Sequence, residues 1–196
     1  DLALQIFIFS LGIHLLTHLL VPLNIRFSSR FRIIAQPSAR KIHLEPKPEA
    51  GGLSFALPIL FALVATGLWV LPVPLGKSYI ALAGVGLLAL AFGVIDDRYE
   101  SQARYKFLGQ LAIGVLMYFI GFRVAKLTNP FGPEFVLGWM SFPVTLVWYL
   151  VVMNAINLID GLDGLAAGIT AIAAAAFLAY SFALSRNGVL DPGNVG

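Results

Sequence analysis

The chain has 196 residues, of which 59% are hydrophobic and only 12% charged, with a net charge of +3 and no cysteine. That composition excludes a soluble globular domain, a disulfide framework and thiolate metal chemistry, so any metal must be held by oxygen or imidazole. Nothing interleaves aromatic residues with a basic stripe as nucleic acid would require, and a membrane surface accounts for the basic excess more simply.

The charges gather into a few clusters and leave six charge-free windows, residues 2–25, 50–76, 78–95, 107–122, 135–159 and 164–185. A helix crosses the hydrocarbon with roughly 20 apolar residues, within a range of about 17 to 25, and every window except 107–122 is long enough. That one is extended at its edges by Tyr105, Lys106 and Arg123, whose long side chains reach back to the interface. Continuous apolarity, in place of alternation, excludes a β-barrel. The first window is too long for a signal-peptide core, lacks a small-residue cleavage motif and is kept as structure. The expected fold is an all-α integral membrane protein, a polytopic transmembrane helix bundle of about six spans. Residues 1–196 form a single bundle, with polar loops at 26–50, 96–106 and 160–163.

Basic residues divide unequally between the two sides. Arg26, Arg30, Arg32, Arg40, Lys41 and Lys47 follow the first window, and Arg98, Arg104 and Lys106 follow the third. The opposite connections hold Lys77, Arg123, Lys126 and Arg186. The positive-inside rule makes the first group cytoplasmic. Residues 36–52, 96–106 and 154–164, the segments richest in unusual polar residues, then open to one face, which is what an active site needs.

The first of these segments carries Arg40, Lys41 and His43, followed by Pro46, Pro48 and the Gly51-Gly52 pair. The prolines favour an extended chain, and the three cations offer donors enough to hold phosphate at head-group level; the plainer reading is a topogenic basic loop. The second has Asp96 and Asp97 at the end of an apolar run. Adjacent carboxylates at a helix C-terminus repel each other and the helix dipole, so a cation should compensate them. Arg98 is the nearest in sequence and accounts for one of them; a hard divalent ion shared with substrate phosphates accounts for both.

The third segment is the most specific. Asn154, Asn157, Asp160 and Asp163 recur every third residue, a slowly drifting polar stripe if helical, while Gly161 and Gly164 break or loosen that helix. Ionisable groups at a membrane boundary carry a functional expectation by default; the alternative is a small-residue packing face through Gly164 and Gly168 with the aspartates in water. His14 and His18, one turn apart, are read as packing or hydrogen-bonding groups, and Trp69, Trp139, Trp148 and Tyr149 as interfacial anchors.

Taken in order, Arg40-Lys-Ile-His and Pro46-Lys-Pro-Glu-Ala-Gly-Gly, then Gly93-Val-Ile-Asp-Asp-Arg-Tyr, then Asn154-Ala-Ile-Asn-Leu-Ile-Asp-Gly-Leu-Asp-Gly-Leu-Ala-Ala-Gly resemble the polyprenyl-phosphate N-acetylhexosamine-1-phosphate transferases, of the glycosyltransferase family 4 type. The first motif is closer to the branch that uses UDP-N-acetylglucosamine, which starts teichoic acid, O-antigen or arabinogalactan-type polymers, than to the phospho-N-acetylmuramoyl-pentapeptide transferases of peptidoglycan synthesis, which stand as the alternative. The resemblance implies a magnesium-dependent enzyme, with manganese as a substitute, that moves a sugar 1-phosphate from a UDP-sugar to undecaprenyl phosphate and releases UMP. It implies a multi-pass protein of the bacterial inner membrane with its site facing the cytoplasm, surrounded by membrane lipids, admitting a homodimer and binding no nucleic acid.

Carried over by position, Asp96 and Asp97 lie at the metal and lipid-phosphate site. Asp160 and Asp163, with Asn157, bind the metal–diphosphate or nucleotide, so that Asp96, Asp97 and Asp160 are the expected metal ligands. Lys106 looks like the nucleotide-binding lysine, and Lys41 and His43 help hold phosphate. Family members continue beyond the last window with a later aspartate motif and a histidine-rich loop, so the chain is expected to be the N-terminal portion of a longer enzyme. From other classes, an ion-coupled transporter would place its carboxylates near the midplane of broken helices in related repeats, whereas here they sit at span ends with no repeat. A non-catalytic assembly subunit would tolerate Asp96→Asn and Asp160→Asn.

Overall fold

The computed structural model describes residues 2–31, 33–35, 47–48, 51–70, 73–99, 102–129, 131–160 and 164–186. Lys41, His43 and Asp163 lie outside the described residues. Helices α1 (Leu2–Phe31), α2 (Gly52–Trp69), α3 (Val73–Tyr99), α4 (Ala103–Phe119), α5 (Ser141–Ile159) and α6 (Leu165–Arg186) occupy the six apolar windows. Two short antiparallel pairs accompany them: β1 (Ile34–Ala35) with β2 (Lys47–Pro48), and β3 (Lys126–Leu127) with β4 (Phe135–Val136). Four stretches among the described residues, Gly52–Trp69, Leu75–Tyr99, Gly138–Ile159 and Leu165–Leu184, are long and apolar enough to cross a membrane. At 1.5 Å per residue, α1 is about 45 Å long and α4 only about 26 Å, against a hydrocarbon core of about 30 Å.

The helix ends depart from the window edges. α1 runs on through Arg26 and Arg30 to Phe31, and α3 takes in Lys77 near its start and Asp96 and Asp97 in its last turn. α4 begins at Ala103, includes Arg104 and Lys106, and stops at Phe119, short of the window's end. Residues 26–31, 96–99 and 103–106, expected in loops, are therefore helical. Lys and Arg are good helix formers, and loss of apolarity marks the water boundary without ending the hydrogen-bonded ladder.

The chain divides into two compact units, residues 1–150 and 151–196. In the first, large apolar side chains point outward: Phe61 is 64% exposed and Leu19 67%. The buried positions of α2 and α3 are mostly small: Ser54, Pro58, Ala65 and Gly67 on one helix, Gly76, Ala83 and Val85 on the other. Lipid tails are as apolar as leucine, so membrane helices associate by close packing of small residues, and large ones face the lipid. At the α2–α3 turn a Cβ on Gly67 would lie 2.8 Å from the Gly76 carbonyl oxygen, and one on Gly76 would overlap the Gly67 carbonyl. α4 approaches α5 at buried Gly114, where a Cβ would sit 3.3 Å from Leu146 Cδ2.

Beyond the end of α4, an extended segment completes the short helix. Its backbone is satisfied by one stripe of α5 side chains. Thr145 Oγ1 accepts the Val124 N–H at 3.0 Å, Ser141 Oγ donates to the Val124 carbonyl at 2.7 Å, and Tyr149 OH donates to the Phe122 carbonyl at 3.1 Å. Thr145, fully buried, donates in turn to the Ser141 carbonyl at 2.6 Å. Ser141 and Tyr149 are eight residues apart, about 12 Å along the helix, so this non-helical stretch descends well into α5's apolar length. Backbone polar groups tolerate that depth only when protein partners satisfy them. Tyr149 is thus a latch for the chain, not only the interfacial anchor expected of it. The β3–β4 hairpin follows, with Lys126 Nζ 3.3 Å from Glu134 Oε2.

In the second unit, α5 ends at Ile159, and Asp160 closes its last turn by donating its N–H to the Ile156 carbonyl at 3.1 Å. Gly164 has φ of +82°, left-handed backbone that glycine adopts without strain, and α6 starts at the next residue. The expected break in the polar stripe is present there.

Candidate active site

The carboxylates of α3 are placed by its last turn. Asp96 Oδ2 lies 2.8 Å from Lys106 Nζ, in the first turn of α4. The Asp96 side chain is 12% exposed and that of Lys106 40%. The cation that meets Asp96 is delivered by the next helix, ten residues on, in addition to Arg98, whose guanidinium lies 6.0 Å from the Tyr99 ring centre and which has interactions of its own. The signal was available in the shortness of the connection between Tyr99 and Ala103, which obliges the first turn of α4 to face the last turn of α3.

Asp96 also has a buried oxygen, Oδ1, with no hydrogen-bond donor. A buried acceptor left unmade costs about 1–3 kcal/mol, and more when charged. Such an atom calls for a further positive partner. Asp97 is adjacent on the same turn, half-buried and engaged in interactions of its own. Two neighbouring carboxylates, one oxygen unsatisfied and one lysine at hand, form an end of a site suited to holding anionic substrate through a shared cation.

In the second unit, Asn154 and Asn157 occupy the last two turns of α5 and Asp160 the residue after it, all three exposed. They keep the three-residue spacing read from the sequence. His14 and His18 pack edge to face, with ring centres 4.7 Å apart. Among the described residues no cluster of three or more His, Asp or Glu side chains forms; the carboxylates brought together locally are Asp96 and Asp97.

A model of Glycosyl transferase family 4 matches residues 79–191, more than half of the chain and inclusive of both polar clusters just described. Among curated proteins the chain is similar to the probable undecaprenyl-phosphate N-acetylglucosaminyl 1-phosphate transferase of Bacillus subtilis (strain 168), 36% identical over 163 residues, covering 82% of this chain and 44% of that protein. It is 34% identical over 167 residues to the decaprenyl-phosphate N-acetylglucosaminephosphotransferase of Mycolicibacterium smegmatis, covering 81% of this chain and 40% of the relative. To the undecaprenyl-phosphate alpha-N-acetylglucosaminyl 1-phosphate transferase of Escherichia coli K12 it is 30% identical over 168 residues, covering 85% and 44%. The chain spans less than half the length of these relatives. No solved structure matches it.

Proposed function

The chain belongs to glycosyl transferase family 4, and from that premise we propose that the protein transfers N-acetylglucosamine 1-phosphate from UDP-N-acetylglucosamine to a polyprenyl phosphate and releases UMP. The observation that carries the reading is Asp96: a carboxylate paired with Lys106 on one oxygen and unsatisfied on the other, inside the matched segment. The relatives' names supply the sugar phosphate and the lipid; the nucleotide donor is part of our reading.

In this reaction an oxygen of the lipid phosphate attacks the sugar-bearing phosphorus of the donor, the bond between the two donor phosphates breaks, and UMP leaves with the electron pair. Both partners are anionic, so positioning and charge neutralisation supply most of the catalysis. Lys106 sits where it can move from Asp96 to a diphosphate oxygen, carrying a positive charge to the leaving side. Asn157, Asp160 and Asp163 are assigned to nucleotide and diphosphate contacts, and Lys41 and His43 to phosphate. Asp96 and Asp97 are the residues that would hold magnesium, which when bound would screen the phosphate charges and stabilise the transferring group. The buried unsatisfied Asp96 oxygen fits that ion, and one or two carboxylates plus substrate phosphates are its usual ligands. By the excess of basic residues flanking these ends, the site faces the cytoplasm of a bacterial inner membrane.

The test uses the full-length protein in detergent with undecaprenyl phosphate, following UMP release from UDP-N-acetylglucosamine or UDP-N-acetylmuramoyl-pentapeptide, with and without magnesium. Magnesium-dependent release from the first donor alone is expected. Release from the pentapeptide donor alone would move the protein to the other branch, and none from either, with folded protein, would overturn the assignment.

A further inference from the structure

α3 and α4 are consecutive helices meeting at a short turn, and Asp96–Lys106 is the rung of their seam nearest that turn. One turn farther along, Phe92 on α3 and Gly109 on α4 form the next rung: a Cβ built on Gly109 would overlap the edge of the Phe92 ring, at Cζ and both Cε atoms. Phe92 and Asp96 are four residues apart and Lys106 and Gly109 three, so each pair shares a helix face. A lysine on its flexible stem does not fix the distance between two helices, whereas an aromatic edge seated on a glycine does, because packed interiors resist even one added methyl.

We propose that Phe92 and Gly109 are positioning residues: ring on glycine sets the separation of α3 and α4 at the level of the carboxylates, and so holds Lys106 against Asp96. This rests on the reading of Asp96 and Lys106 as part of a phosphotransfer site. A methyl at Gly109 must drive the ring aside or part the helices. Either change loosens the rung beside it.

The experiment uses the full-length protein, free of other cysteines, carrying Asp96→Cys and Lys106→Cys, and measures cross-linking by a short bifunctional thiol reagent in membranes. Gly109→Ala is expected to slow cross-linking several-fold, since the added methyl must part the helices or drive the ring aside. Adding Phe92→Leu, whose shorter side chain makes room for the methyl, is expected to restore most of the rate. Gly86→Ala, which sets a Cβ 2.6 Å from Leu60 Cδ2 at the α2–α3 seam, is the control for general loosening and should leave cross-linking unchanged. In otherwise wild-type enzyme, Gly109→Ala should lower the rate of UMP release in parallel, with the same rescue. Unaltered cross-linking in Gly109→Ala, or equal slowing by Gly86→Ala, would overturn the proposal. Should Gly109→Ala not fold, Phe92→Leu alone must alter the cross-linking rate, and an unchanged rate there overturns it as well. If wild-type enzyme releases no UMP while cross-linking still responds to Gly109→Ala, the functional reading fails and the positioning role stands.

Discussion

The proposed chemistry gathers on one side chain, Asp96, and magnitudes separate that role from its structural one. Its partner Lys106 is 40% exposed, which places the ion pair toward the surface range of about 1 kcal/mol or less. Lys106→Met also leaves an Asp96 carboxylate that is only 12% exposed without its cation, so it is expected to cost about 1–3 kcal/mol of stability in detergent while cutting UMP release far more sharply; a large loss of stability with activity retained would reverse that ranking. Asp96→Asn keeps the shape and removes the charge, and we expect a fall in kcat on the order of 10²–10³, the scale found when one electrostatic group of a preorganised site is lost. Assay of the purified variant across a magnesium titration checks it. The Asp96-Asp97 pair was legible in the sequence because adjacent carboxylates at an apolar boundary demand a cation. That Lys106 meets Asp96 was not, because it lies ten residues on and is brought there by the next helix.

Among the elements, α4 and the segment after it depart furthest from what apolar windows predict. Window 107–122 suggested a marginal span; the structure contains a helix that stops at Phe119 and an extended continuation fastened to α5. Ser141, Thr145 and Tyr149 follow a four-residue spacing that puts them on one face, which was a usable hint. Their partners are backbone groups, and those leave no trace in a residue pattern. Thr145→Val preserves the shape and strands the Val124 N–H, so it is expected to cost about 1–3 kcal/mol, whereas Thr145→Ser keeps the hydroxyl and should be far milder. Thermal unfolding of the two variants in one detergent distinguishes them, and equal melting temperatures would show that the bond to Val124 contributes nothing. The break between α5 and α6, by contrast, was readable directly, because Gly164 supplies the left-handed residue that the turn into α6 uses.

For the whole molecule, the six apolar windows hold six α-helices among the described residues, since 16 to 27 residues without charge have few other folds available in lipid. Their ends were less legible, because arginine and lysine continue a helix into water as readily as they leave it. The proposed orientation rests on the basic residues alone, and single cysteines test it: in intact cells a membrane-impermeant thiol reagent should label Glu134→Cys in the β3–β4 hairpin and spare Arg98→Cys, which becomes reactive only after lysis. The opposite pattern would turn the protein over and put Asp96 outside. The shortness of α4 reaches beyond the fold. At about 26 Å it falls below the average hydrophobic thickness of a bilayer, and a span that is too short is accommodated by thinning the lipid around it, at a fraction of a kcal/mol per Å. The helix that presents Lys106 to Asp96 is the shortest of the six and leaves the rest of its crossing to an extended strip beyond Phe119, so acyl chain length becomes a physical variable acting on the ion pair from the far end of the same segment.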